Sequence, residues 1–320
     1  MKTEASLICK KSLAKILNDA SSEIIDQLID KMQQLAVKSG KCLYRQDDES
    51  DGIYILISGR LKVSIRDELT RESNQVGIID PGDVVGEISL FTSGKRSATL
   101  SAIRDSTLAH LSIEEFTALT EQHPDITLSI ARSVIKRLLD TQSSKKKTKI
   151  STHTITVIPL HSDFEVPEFS RRLQTSLLNF GPTALVTTNL VNKLFTDLWK
   201  KNSSTAELEV FLDKTETINH FVILEIDYQQ DEKLDAWTKK SISFADTILY
   251  ACDSNAVISA AKNRVDKILA ISDLSEKQRE LVLLHESHKS TLKHTSRWLD
   301  AISVDQHNHL AWSNSCLLYT

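Results

Sequence analysis

Apolar residues recur at two different rhythms along the chain. Ile25, Leu28, Ile29, Met32 and Leu35 fall at helical spacing, and the polar Ser22 and Asp26 mark the start of the amphipathic helix they predict. The period then shortens. Ile53, Ile55 and Ile57 alternate with Tyr54, Leu56 and Ser58. Beyond Gly59, Leu61, Val63 and Ile65 alternate with Lys62, Ser64 and Arg66. Val76–Ile79, a Pro81-Gly82-Asp83 turn, Ala98–Ile103 and Thr107–Leu111 follow. Short strands parted by Gly or Asp turns predict an antiparallel barrel or roll. Two helices close this part. One follows Ser112, with Glu114 and Glu115 in its first turn. The other starts near Pro124-Asp125 and carries Ile126, Ile130, Val134, Ile135 and Leu138.

The rest of the chain changes pattern. Strand-like runs at Ile155–Leu160, Ala184–Thr187, Phe221–Ile226, Thr247–Ala251 and Leu281–His285 are separated by helical stretches. Phe169, Leu173, Leu177 and Phe180 form one apolar face, with Pro167 near its start and Gly181-Pro182 at its stop. Asn189 is placed to cap the next helix, with Leu190, Leu194 and Leu198 on one stripe, and Ser204 with Glu207 is a capping-box pattern. Strands alternating with helices imply a parallel sheet covered on both faces.

Glycine usage divides the chain at the same place. Seven of the eight glycines lie at or before Gly94, and only Gly181 lies beyond. A length of 320 residues suits two domains of ordinary size. The expected organisation is therefore α+β and multidomain. A β-roll with flanking helices spans 1–142, a charged linker 143–151 contains Lys145-Lys146-Lys147, and a doubly wound α/β domain spans 152–320. The net charge of −4 gives no bulk attraction to nucleic acid. Cys9, Cys42, Cys252 and Cys316 are scattered, with no metal or redox spacing, and fit a reducing, cytoplasmic setting. No apolar run approaches the ~20 residues of a membrane-spanning helix. The lysine run leaves peripheral contact with anionic lipid as a minor reading beside that of a solvated linker.

One stretch concentrates chemistry: Gly86-Glu-Ile-Ser-Leu-Phe-Thr-Ser-Gly-Lys-Arg96-Ser-Ala-Thr99. A short helical turn at Ile88–Phe91 would present the N–H groups near Ile88 and Ser89 to an anion. The planar fork of Arg96 matches phosphate oxygens, and Ser97 adds a donor. Glu87, when ionised, only accepts hydrogen bonds and suits a sugar hydroxyl. Phosphate donors beside a hydroxyl acceptor describe a site for a ribose phosphate. The bland counterpart is a Glu87–Arg96 salt bridge with no ligand.

This stretch resembles the phosphate-binding cassette of cyclic nucleotide-binding domains. Asp51-Gly-Ile-Tyr-Ile-Leu-Ile-Ser-Gly-Arg-Leu-Lys-Val63 is similar to that family's hairpin around a Ser-Gly turn, and Pro81-Gly-Asp-Val-Val-Gly-Glu87 to its lead-in. The resemblance covers roughly Leu13 to Thr141. It implies that Gly86, Glu87, Ile88, Ser89, Arg96 and Ser97 hold a cyclic nucleotide, cAMP ahead of cGMP. It also implies that the last helix closes over the base, with Thr141 and Gln142 placed by position to meet it. Val85 stands where the family often has Phe, and Ser89 where it often has Ala.

A second resemblance rests on Ile155–Leu160, Phe180–Thr188, Ala245–Leu249 and Arg297–Asp300, with Gln306-His-Asn-His309 similar to a His-rich segment. These resemble the domain that joins the cyclic nucleotide-binding module to the patatin-like catalytic domain in the neuropathy target esterase family of lysophospholipases. The resemblance implies a regulatory part that acts on a patatin-like catalytic domain or another protein partner. The sequence holds no Gly-x-Ser-x-Gly nucleophile elbow, so the chain by itself is expected not to be an enzyme. The alternative is a fragment or subunit of a lysophospholipase whose catalytic domain is missing or separately encoded. A dinucleotide site is disfavoured because His161–Pro167, after the first strand, contains no glycine. A helix-turn-helix regulator is disfavoured because a strand follows Ile150. No metal is expected, and His285, His288, His307 and His309 read as ordinary surface residues.

Overall fold

The computed structural model describes residues 3–17, 21–67, 72–92, 94–124, 126–132, 135, 152–195, 206–228, 235–271, 273–285 and 295–311. Val134, Leu138, the 143–151 run, Leu198, Ser204 and His288 lie outside them, as do Thr141 and Gln142. The chain divides into two compact units, 1–149 and 150–320.

The first unit is built on two long antiparallel strands. β3 (Gly52–Arg66) pairs with β6 (Thr99–Ser112), and the sheet runs β1-β6-β3-β4, with β1 at Gln33–Val37 and β4 at Ser73–Ile79. β2 (Cys42–Tyr44) adds to β6, and β5 (Val84–Val85) to β3. The alternation in β3 has a direct reading. Ile53, Ile55 and Ile57 pack on the helices, in one core with Cys9, Leu13, Leu28, Phe116 and Ile126. Tyr54, Leu56 and Leu61 fill a second core inside the roll with Leu100 and Leu108. Two buried faces explain why Ile53–Ile57 is an unbroken apolar run.

The structure departs from two of these expectations and adds one element. The Ser58-Gly59 step is no hairpin turn: β3 runs through it, and β6 likewise unites the two strands expected at Ala98–Ile103 and Thr107–Leu111. Register shifts between Leu56 and Leu61 bend the pair instead. Gly59 has φ +95, and a Cβ there would stand 2.5 Å from Ser106 Cα, so only glycine permits this approach. Ser106 Oγ in turn accepts the Arg60 N–H at 3.1 Å. Second, helix α2 spans Ser22–Lys31 and is capped by Ser21, whose Oγ accepts the Ile24 N–H. Leu35 lies on β1 and is exposed. Third, helix α1 (Thr3–Ile16) precedes the roll and buries Ala5, Cys9 and Leu13, with Leu17 just beyond its end. The four-residue spacing of those positions carried the signal. Helix α3 (Ile113–Gln122) starts at Ser112, as the pattern implied, with Ser112 Oγ accepting from Glu115 N. Residues 126–132 are helical and bury Ile126 and Ile130, while Ile135 is exposed.

The second unit is a six-stranded, wholly parallel sheet in the order β12-β11-β10-β7-β9-β8. Its strands are β7 His153–Pro159, β8 Thr183–Val186, β9 Phe221–Glu225, β10 Thr247–Asp253, β11 Gln278–His285 and β12 Gln306–Ala311. Helix α4 (Val166–Leu177) packs Val166, Phe169 and Leu173 on one face. Helices α5 (Thr188–Leu194), α6 (Ala206–Ile218), α7 (Ala236–Phe244), α8 (Ile258–Ile271) and α9 (Thr295–Ala301) pack on the other. Both faces are covered, unevenly among the described residues. Phe180 lies past the end of α4 and is 76% exposed. Thr187, not Asn189, caps α5 through the Leu190 N–H at 3.1 Å. That shift in phase buries Val191 and leaves Leu190 and Leu194 outside. β12, formed by the His-rich segment, was not anticipated. Polar residues on an edge strand give little of the apolar signal that marks the inner strands.

Candidate functional site

The turn at 80–83 sets the approach to the cassette. Asp80 N–H donates to Asp83 Oδ2 at 3.0 Å, and Gly82 N–H donates to Leu56 O at 2.7 Å. The turn is thus fixed to β3, and β5 pairs with Tyr54 and Ile55. The chain then reaches Gly86, whose φ is +85. A Cβ at this position would overlap the Arg96 guanidinium and stand 2.9 Å from Gly52 O. Glycine is therefore what lets Arg96 lie against the backbone here.

Residues Ile88–Leu90 form a single 3-10 turn with Glu87 at its N-cap. The turn's own hydrogen bonds begin at Leu90 N–H to Glu87 O and Phe91 N–H to Ile88 O. The N–H groups of Ile88 and Ser89 stand ahead of them, where a short helical turn is electropositive. Ser89 is buried; its hydroxyl donates to Gly86 O at 2.7 Å and lies 2.8 Å from Ser50 Oγ. Glu87 is buried too and borders an apolar pocket with Leu13, Leu17, Ile126 and Ile130. Ser97 is exposed.

Arg96 is the centre of the arrangement and is 1% exposed. Its Nη1 donates to Gly86 O at 3.4 Å and Ser89 Oγ at 3.3 Å, and its Nη2 pairs with Asp51 Oδ1. The guanidinium lies 4.1 Å from the centre of the Tyr44 ring and 5.5 Å from that of Tyr54. Such stacking over a ring face adds cation–π attraction to the hydrogen bonds. Tyr54 Oη donates to Asp51 Oδ2 at 2.5 Å, and its ring stacks on His110 at 4.4 Å. Burial pushes the Asp51 carboxyl up, but the Tyr54 hydroxyl and the Arg96 charge outweigh it and hold the group below its ordinary range. Burial pushes the Tyr44 and Tyr54 hydroxyls upward, so both stay protonated donors.

The fold thus brings Gly86, Glu87, Ile88, Ser89 and Arg96 into one corner, with Ser97 at its rim. Sequence reasoning missed Tyr44, Ser50, Asp51 as the partner of Arg96, and Tyr54. An isolated antiparallel bridge between Glu49 and Lys95, outside the strands, brings the two segments together, and no local spacing encodes it. In the second unit, His285 is buried and bonded to His309 rather than set on the surface. Among the described residues no cluster of three or more His, Cys, Asp or Glu could hold a metal ion. No helix among them is long and apolar enough to cross a membrane.

Residues 34–123 match the family model described as a cyclic nucleotide-binding domain. Residues 151–317, just over half of the chain, match the one described as the neuropathy target esterase family P-loop like domain. A neuropathy target esterase of Drosophila persimilis is 28% identical over 305 residues, 90% of this chain and 21% of that protein. A lysophospholipase of Aspergillus terreus is 29% identical over 312 residues, 90% of this chain and 20% of that one. The chain spans about a fifth of the length of these relatives. Among solved structures, the regulatory domain of Toxoplasma gondii PKA with cAMP is 26% identical. It covers 37% of this chain and 46% of its own, at a TM-score of 0.35.

Proposed function

The chain belongs to the neuropathy target esterase family, and from that premise we propose that it is a regulatory module that binds a 3′,5′-cyclic nucleotide and controls a phospholipase-type catalytic domain. In this reading Arg96 serves the cyclic phosphate, together with Ser97 and the N–H groups of Ile88 and Ser89. Glu87 serves the ribose 2′-hydroxyl, and Gly86 clears the space for the guanidinium. The observation that carries the reading is Arg96 itself. A guanidinium 1% exposed is costly to bury, yet it is held at the cassette by Gly86 O, Ser89, Asp51 and the Tyr44 ring. Its Nη atoms are engaged by these partners, while its Nε is buried with no hydrogen-bond partner among the described residues, so an anion entering from the Ile88–Leu90 side would take that donor together with the N–H groups of Ile88 and Ser89. Thr141 and Gln142 remain candidates for the base, and movement of the helix after Pro124 is the proposed relay. cAMP is placed ahead of cGMP.

Isothermal titration of the folded chain with cAMP and cGMP tests this. A hydrogen bond to a charged group contributes about 1.5–3 kcal/mol, so Arg96→Ala should weaken binding roughly 10- to 150-fold. Glu87→Gln should cost less, since an acceptor oxygen remains. A 2′-deoxy analogue should bind the wild type more weakly, and its penalty should shrink in Glu87→Ala. No heat at millimolar nucleotide from a folded chain would make the cassette a structural remnant.

The length of the relatives favours a second reading, in which the chain is a piece or subunit of a lysophospholipase. On either reading the purified chain alone should not hydrolyse lysophospholipid. Fluorophosphonate labelling of one serine, with turnover lost on its mutation, would overturn that.

A further inference from the structure

The parallel sheet contains a place where its strand order reverses. β9 and β8 lie on one side of β7, and β10, β11 and β12 on the other. At such a switch point the loops leaving two neighbouring strands diverge and open a crevice at their carboxyl ends, which α/β proteins use for ligands. Here the loops follow β7 and β10. The cavity they bound is about 650 Å³ and is lined by His161, Asp163, Glu165, Tyr228, Asp253 and His285, among others. That volume suits a small molecule.

The walls exclude a phosphate. The N-terminus of α4, where an anion would settle, has Glu165 at its cap, Glu168 in its first turn and Pro167, which lacks an N–H. Asp163 and Asp253 add further carboxylates. His161 Nε2 accepts the backbone N–H of Asp253 at 3.2 Å and stands 3.1 Å from Asp253 Oδ2, so the two side chains face each other at the crevice. Arg264 does not line the cavity: its Nε donates to Pro159 O at 2.7 Å, and its guanidinium stacks on Tyr228, a lining residue, at 4.4 Å.

A separate observation concerns His285, which lines the cavity although it is 94% buried, with 6% exposed. Its Nε2 lies 2.8 Å from His309 Nδ1, and His309 Nε2 lies 3.2 Å from Thr295 Oγ1. Among the described residues nothing bonds its Nδ1. The geometry allows two proton orders along this chain. In one, each imidazole passes its N–H outward towards Thr295, and His285 Nδ1 is left as an acceptor. A ligand carrying N–H donors selects that order, and the neighbouring carboxylates also accept only.

We propose that the crevice at the carboxyl ends of β7 and β10 binds a small molecule through a protonated amine, held by Asp253, Asp163 and His285 Nδ1. The proposal concerns the α/β unit and stands apart from the nucleotide reading of the roll. Titration of the full chain with 1,4-diaminobutane should give saturable binding. Tetramethylammonium, which has the charge but no N–H, should bind at least tenfold more weakly. Asp253→Asn should weaken diamine binding roughly 10- to 150-fold, as expected for loss of a charge-assisted hydrogen bond. Asp163→Asn, at an exposed position, provides the same comparison should Asp253→Asn fail to fold. Absence of saturable diamine binding by a folded chain would overturn the proposal, as would equal affinity for tetramethylammonium or displacement of the diamine by ATP.

Discussion

Arg96 and Asp51 form an ion pair although 45 positions separate them in sequence, and the two ends of the pair differ sharply in environment: the arginine side chain is 1% exposed and the aspartate 59%. The aspartate is thus the solvent-facing lid of a buried cation. Asp51→Asn keeps the shape and removes the countercharge. Losing one partner of a fully buried pair costs about 3–5 kcal/mol. The exposure of Asp51 reduces this to about 1–2 kcal/mol. All four tryptophans lie beyond residue 150. Chemical denaturation followed by tyrosine fluorescence in a roll fragment 1–149 that folds by circular dichroism, or hydrogen exchange of β3 and β6 in the full chain, should therefore show that loss, and an unchanged midpoint or protection would remove Asp51 from the account.

The same pair has a pH signature. The Asp51 carboxyl is held below its ordinary value. A depressed carboxylate contributes stability that is complete above its unfolded pKa of about 3.9 and is lost as pH falls through the folded value. The melting-temperature gap between wild type and Asp51→Asn should therefore be constant above about pH 5 and close below about pH 4. A gap that widens on acidification would contradict the pairing.

Gly86 and Gly94 separate strain from collision. Both have positive φ, +85 and +78, but a Cβ at 94 meets nothing within 4 Å while one at 86 overlaps Arg96. Gly94→Ala should cost about 1–2 kcal/mol of stability from backbone strain alone. Gly86→Ala should cost more and displace the guanidinium, so cyclic nucleotide binding should fall at least tenfold in that variant only. Calorimetry on both proteins, with circular dichroism to confirm folding, makes the comparison.

Leu13 tests whether α1 is integral to the roll. It is 3% exposed and packs in the core with Ile25, Leu28 and Phe116. Leu13→Ala should cost about 2–5 kcal/mol. Near-zero cost in urea denaturation would mean that α1 is dispensable.

Much of this was legible beforehand because it is local. The Ser112 cap, the alternation of β3 and the inner strands of the parallel sheet each depend on a few adjacent residues. What was missed depends on choices that local sequence leaves degenerate. A glycine after serine serves a hairpin turn or a bend within one strand equally well, and only the partner strand decides between them. Thr187 and Asn189 can both cap a helix; choosing the first rotates the stripe so that Val191, not Leu190, faces the core. The His285–His309 contact exists because β11 and β12 lie side by side, and the partnership of Asp51 with Arg96 because Glu49 meets Lys95. Of the candidate cassette, the residue types and their spacing were readable, while the second partners of each side chain were not.

The close passage of β3 over β6 at Gly59 and Ser106 also bears on how this chain can change over generations. A side chain at 59 has nowhere to go while Ser106 Cα stands 2.5 Å from its Cβ position. Ser106 in turn caps the N–H of Arg60 across the same bend. Of the colliding atoms, Ser106 Cα and Asp105 O belong to the backbone, so no change of side chain at 106 makes room at 59. In descent position 59 should stay glycine, giving a fixed point from which divergent copies of the roll can be aligned when little else in them agrees.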